Sequence, residues 1–113
     1  MAEGVLVLPL IGTIDADRAE RVLEQVLDTI VARQADRLLI DVTGVAAVDG
    51  FVITQLLKIV RVAALLGARA SIAGLSAAMA RTAAALGLDL QGLTTYRDLQ
   101  SALGEIVNRD TMG

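Results

Sequence analysis

Two carboxylates, Asp41 and Asp49, bracket the segment Val42-Thr-Gly-Val-Ala-Ala-Val48, which joins a short apolar run to a helix-forming stretch. Asp41 closes a buried strand, and the carboxyl ends of strands are where open α/β sheets present their functional loops. Paired carboxylates in such a place could pass a proton to and from a substrate or hold magnesium. The structural alternative is that Asp41 accepts hydrogen bonds from its own loop. Asp49 would then sit at the amino end of the next helix, whose partial positive charge favours an anion. A hydroxyl, Thr82, lies beside Arg81 in the small apolar stretch Ala77 to Leu86. It is either a filler that bonds back to a helix carbonyl or a regulated group. A phosphate there would add about two negative charges to the first turns of a helix and alter a docking surface.

The rest of the composition removes most enzyme classes. Cysteine and histidine are both absent, which excludes disulfides, thiolate nucleophiles, imidazole bases and nearly every zinc or haem site. No serine stands in a Gly-x-Ser-x-Gly elbow, and no glycine-rich loop precedes a Lys-Ser or Lys-Thr pair; Lys58, the sole lysine, falls mid-helix. The sequence therefore reads as non-enzymatic, with no catalytic residue, metal ligand or cofactor assigned. Net charge is −3 and the nine arginines are scattered, so there is no basic stripe for nucleic acid. No apolar run approaches the roughly 18 to 20 residues of a membrane span. The reading is a soluble cytoplasmic domain without nucleic-acid or membrane partners. At 113 residues the chain fits a single domain, 1–113, with a core over about 5–107 and a frayed tail at 109–113. Hydrophobic residues reach 55% but aromatics only 2%, so Ala, Val, Leu and Ile must build the core. The high hydropathy reflects either the 19 alanines or an apolar surface covered by partners.

The elements that position these residues follow from periodicity. Val5 to Leu10 is an apolar strand interrupted by Pro9, which belongs at a sheet edge because it lacks an N–H for the ladder. Asp15 or Asp17 caps a helix with apolar positions Ala19, Val22, Leu23, Val26, Leu27, Ile30 and Val31. Leu38 to Val42 is an interior strand and Ala70 to Ala73 another. Between them a helix over Phe51 to Leu66 is closed by Gly67 and implies a right-handed parallel crossover. Ser76 caps a helix through Met79, Ala83 and Leu86, closed by Gly87. A short strand falls near Gly92 and Leu93, and Tyr96, Leu99, Leu103, Ile106 and Val107 define a last helix. The fold class is α/β: a small sheet of four to five strands, mostly parallel (mixed), packed with about four helices.

Several separated segments, in order, resemble one family. Pro9-Leu-Ile-Gly-Thr-Ile-Asp15 with Arg18-Ala19, Leu39-Ile-Asp-Val-Thr-Gly-Val45, Val48-Asp49, Leu66-Gly-Ala68, Ala73-Gly-Leu75 and Leu86-Gly-Leu-Asp-Leu90 are similar to the STAS domain. This is the domain of bacterial anti-sigma-factor antagonists and of sulfate-transporter tails, and the segments look most like the C-terminal domain of RsbR-type stressosome proteins. The resemblance covers roughly Val5 to Val107. It implies a non-catalytic scaffold that co-assembles with an RsbS-type STAS protein, as a homo-oligomer (dimer) or in a large hetero-assembly, and sequesters an RsbT-type switch kinase until stress triggers phosphorylation. Of the two phosphorylatable threonines in RsbR-type chains, one matches Thr82 and the other falls on Gly50, which has no hydroxyl. The protein is then a permanently unphosphorylated paralogue, is regulated through Thr82 alone, or belongs to a different STAS subgroup. The residues expected to meet a partner are Thr43, Gly44, Asp49, Gly50 and Phe51, with Phe51 either core filler or an exposed anchor. The rival reading is a stand-alone STAS module that binds a small ligand such as a nucleotide or lipid.

Overall fold

Leu38, Leu39 and Ile40 are consecutive and all but inaccessible to solvent. Successive strand residues point to opposite faces, so a continuous apolar run of this kind needs a sheet covered on both sides. The computed structural model describes residues 4–46, 49–87 and 93–112, with side chains described as far as Ile106. In chain order the elements are β1 (Val5–Gly12), α1 (Ala16–Arg33), β2 (Arg37–Val45), α2 (Gly50–Leu65), β3 (Arg69–Ala73), α3 (Ala77–Ala85), β4 (Thr94–Tyr96) and α4 (Leu99–Met112). The strands form one sheet in the order β1-β2-β3-β4. All three pairings are parallel, so the antiparallel component allowed for by a mixed sheet is not found among the described residues.

Strand alternation sorts the helices. Leu38, Ile40 and Val42 of β2, with Ala70 and Ile72 of β3, face α1 and α2 and are joined by Met79 of α3. Leu39 and Ala73 point the other way, onto Ala102 and Ile106 of α4. Ile53 and Leu57 of α2 meet Ala83 of α3. Three helices thus lie on one face and one on the other. The Pro9-bearing strand borders the sheet, as the sequence requires. There β1 and β2 slip: Pro9 pairs with Asp41 but Ile11 with Gly44, so β2 carries one extra residue at its carboxyl end. Such a bulge bends the strand end where the loops begin.

The helix ends are set by local chemistry. Asp15, rather than Asp17, caps α1, its carboxylate accepting from the Arg18 N–H at 2.8 Å. Asp17 adds charge in the first turn. Gln34 ends α1 in the left-handed conformation, φ 52°. Ser76 caps α3, accepting from the Met79 N–H at 3.1 Å, and Gly67 follows α2 with φ 86°.

Three details differ from the sequence pattern. Val31 of the expected apolar stripe is 65% exposed, near the end of α1 in an open surface hollow with Leu66 and Gly67. Tyr96 lies in β4, not in the last helix; Asp98 accepts from the Ser101 N–H at 2.7 Å and starts α4 after it. α4 then runs on through Met112, past Arg109, where the expected frayed tail begins. A helix without Pro needs no apolar face to continue, and apolar periodicity marks only its packed part. Gly92, at one end of the expected strand, lies outside the described residues, as does Gly113.

The Ser101 N–H, and after it the Ser101 hydroxyl, hold the Asp98 carboxyl below its ordinary value of 3.8. A lowered carboxyl stabilises the folded state above its unfolded value, and that contribution fades as pH falls through the folded value. An acid titration of Asp98→Asn should therefore show a weaker pH dependence below about pH 4 than the parent. In denaturant unfolding, Ile40→Ala should cost about 3 to 4 kcal/mol. Val31→Ala should stay within about 0.5 kcal/mol, as expected of an exposed position.

Candidate protein-interaction site

The turn after β1, the bulged end of β2, the start of α2 and the turn after β3 lie at the carboxyl edge of the parallel sheet. Arg18 braces the first of these. Its guanidinium donates to the carbonyl of Ile11 and to that of Thr13, the latter at 3.0 Å. Gly12 reaches this turn with φ 82°, a conformation that favours glycine.

Asp41 is used locally. Its Oδ1 accepts from both the Thr43 N–H, at 3.0 Å, and the Thr43 hydroxyl, at 2.7 Å. This clamp closes the end of β2 over the bulge. Gly74 lies against the same threonine: a Cβ built on it would overlap Thr43 Oγ1 and come within 2.9 Å of the Thr43 backbone nitrogen. With φ 83° as well, Gly74 is required twice over, for space and for backbone conformation. Asp49 is equally committed, as the N-cap of α2, its Oδ1 accepting from the Val52 N–H at 3.0 Å. The carboxylates therefore serve the bland roles, and no group of three or more metal-ligating side chains occurs among the described residues.

Gly50 and Thr82 both connect to Leu86 at the junction of α2 and α3, whereas Phe51 borders α1. Gly50 opens α2, and a Cβ on it would lie 2.5 Å from Leu86 Cδ1. Leu86, 53% exposed, ends α3 and thus lies over the start of α2. Thr82 stands one helical turn before Leu86, whose N–H donates to the Thr82 carbonyl at 3.1 Å. The Thr82 side chain is half-buried and its hydroxyl donates to the Ala78 carbonyl at 3.0 Å. A phosphate at Thr82 would sit toward the carbonyl end of a nine-residue helix, where negative charge is disfavoured, and not at its amino end. Phe51 is 41% exposed and borders a groove between α1 and α2. It is neither wholly core nor fully free. Thr43 and Gly44 are exposed at the neighbouring strand end.

Leu86 and Gly74 were not legible as site residues. Leu86 reads as another apolar residue before a helix-ending glycine, and Gly74 as an ordinary turn. Their roles come from segments distant in sequence. A ligand reading finds little room in the core. The apolar cavity lined by Ile53, Leu57, Ile72, Met79, Ala83 and Leu93, among others, holds about 10 Å³. That is space for about one water, against the several hundred Å³ of a small-molecule site.

A parallel four-stranded sheet with three helices on one face and one on the other, its carboxyl edge built from caps and close contacts, defines a small α/β domain. The description of the STAS domain matches residues 2–102, and the chain belongs to the STAS domain family. Within it, the chain is 36% identical to the RsbT co-antagonist protein RsbRB of Bacillus subtilis over 91% of its own length. It covers 37% of that relative, and the chain spans little more than a third of the length of the curated RsbT co-antagonists it matches. Among solved structures it is similar to an RsbS variant of Moorella thermoacetica, with a TM-score of 0.82 and 31% identity over 96% of this chain and 92% of that one. A chain from the molecular architecture of the stressosome, a signal integration and transduction hub, superposes with a TM-score of 0.78 and 28% identity, covering 96% and 94%. No helix among the described residues is long and apolar enough to cross a membrane.

Two substitutions test the geometry of this edge. Gly74→Ala should lower stability by about 2 kcal/mol or more through overlap with Thr43 and the left-handed backbone. Asp49→Ala should cost about 1 kcal/mol through the lost cap. Chemical denaturation measures both.

Proposed function

We propose that the chain is a non-catalytic, stressosome-type scaffold of bacterial stress signalling and an anti-sigma-factor antagonist in the broad sense. It assembles with an RsbS-type STAS partner and holds an RsbT-type switch kinase. The observation that carries the reading is the close approach of Leu86 to Gly50, which lays the end of the Thr82-bearing helix α3 over the start of α2 at the sheet's carboxyl edge. The likeness to RsbT co-antagonists supports it.

On this reading Thr43, Gly44, Asp49, Gly50 and Phe51 meet the partner, and Thr82 is the single phosphoacceptor. Gly50 takes no phosphate, and its missing side chain lets Leu86 lie over the helix start. Charge added at Thr82 would then act through Leu86, one turn away, loosening α3 from the amino end of α2.

Incubation with an RsbT-type kinase, magnesium and ATP should add one phosphate, absent from Thr82→Ala, as read by intact mass and site mapping. No modification by a demonstrably active kinase would overturn the Thr82 assignment. Gel filtration with an RsbS-type partner should yield an assembly larger than either chain, and persistent separate elution would overturn the scaffold.

A further inference from the structure

Arg37, Arg69 and Thr94 open β2, β3 and β4, so they stand at the amino edge of the sheet, opposite the edge that carries Thr43, Asp49 and Gly74. Arg37 pairs with Arg69 across the parallel ladder, and Ser71 with Thr94. Residues two positions apart on a strand share a face. Leu39, Ala73 and Tyr96 pack toward α4, so Arg37, Arg69, Ser71 and Thr94 turn to that same side. With Tyr96 and with Ile106 of α4 they line one hollow of about 20 Å³.

The lining is rich in donors and contains no carboxylate. Ser71 is the buried polar side chain among the described residues, 7% exposed. Its hydroxyl, those of Thr94 and Tyr96, and the Arg69 guanidinium make no hydrogen bond or ion pair among the described residues. No fully enclosed side-chain oxygen there lacks a partner, so the Ser71 hydroxyl is not sealed in and opens onto the hollow. Buried polar groups are nearly always hydrogen-bonded, and an unengaged one aimed into a hollow with an arginine calls for a ligand. Like charges side by side on neighbouring strands repel. Arg37 is already engaged within the chain, which leaves Arg69 as the charge to be met.

Size and donor number narrow the ligand. About 20 Å³ is little more than the space of one water, so only a charged head group enters. Arg69 and the three hydroxyls offer more donors than a carboxylate has oxygens, and they suit the terminal oxygens of a phosphate, which a guanidinium grips in bidentate fashion. We propose that this hollow binds a phosphate group, either the free ion or the monoester end of a small molecule. Arg69 and the hydroxyls of Ser71, Thr94 and Tyr96 supply the donors, and Arg37 adds a second positive charge. The site lies at the edge away from the partner surface and does not depend on the scaffold reading.

Isothermal titration calorimetry of the whole chain with inorganic phosphate, at constant ionic strength in sodium chloride, tests it. Saturable one-to-one binding is expected, weakened at least about tenfold in Arg69→Gln and in Ser71→Ala. Arg33→Gln, which removes an arginine at the end of α1 and outside the hollow, should bind as the parent does. Far-UV circular dichroism should match the parent for all three variants. Glycerol phosphate separates the two sources: binding at least about tenfold tighter than inorganic phosphate identifies the end of a larger molecule, and equal or weaker binding identifies the free ion. A parent chain that takes up neither compound, acetate that binds as tightly as phosphate, or an Arg69→Gln or Ser71→Ala variant that binds as well as the parent would each overturn the proposal.

Discussion

Burial of β2 on both faces is the constraint from which the rest of the architecture follows. Leu39 and Ile40 are fully enclosed and Leu38 nearly so, which requires helices above and below one strand. Parallel neighbours on either side satisfy its backbone, and parallel pairing forces each connection to cross the sheet, mostly as a helix. The turns that leave the strands therefore gather at one edge. The surface that these turns form is a consequence of how the central strand is covered.

Small residues make this arrangement tight. With one phenylalanine and one tyrosine in the chain, the core is filled by close approach rather than by large rings. Ala73 and Ala102 are wholly buried where α4 meets the sheet. Gly74 passes flush against Thr43, and Gly50 admits Leu86. Interiors packed to this density leave few voids, and the apolar cavity of about 10 Å³ between α2 and α3 fits that picture. Asp41, Asp49 and Ser76 hold the backbone of the edge in place, each through one side-chain oxygen.

Coverage is uneven on the two faces of the sheet. α1, α2 and α3 enclose one face, whereas α4 covers Leu39 and Ala73 but leaves Val7 and Ile11 of the edge strand exposed, at 37% and 67%. Val31, Leu65 and Leu66 are likewise exposed near the far ends of α1 and α2. The high hydropathy of the chain thus has two sources, a core rich in alanine and surfaces that remain apolar.

Sequence alone determined the elements whose signals are local. The periodicity of α1, the interior character of Leu38 to Val42, the edge position imposed by Pro9 and the caps at Asp49 and Ser76 depend on neighbours within a few residues, and each appears where the pattern puts it. The absence of histidine and cysteine settled which catalytic chemistries were out of reach. Local signals could not fix the true beginning of α4 after Tyr96 or its continuation past Arg109, because apolar periodicity records packing rather than helix length. Tertiary structure decided what lies on what. That Leu86 covers Gly50, that Gly74 abuts Thr43, and that Lys58 shares a groove with Glu20 and Glu24 are contacts between segments far apart in the chain. No spacing rule encodes them, since they depend on which faces of the helices the sheet turns toward one another.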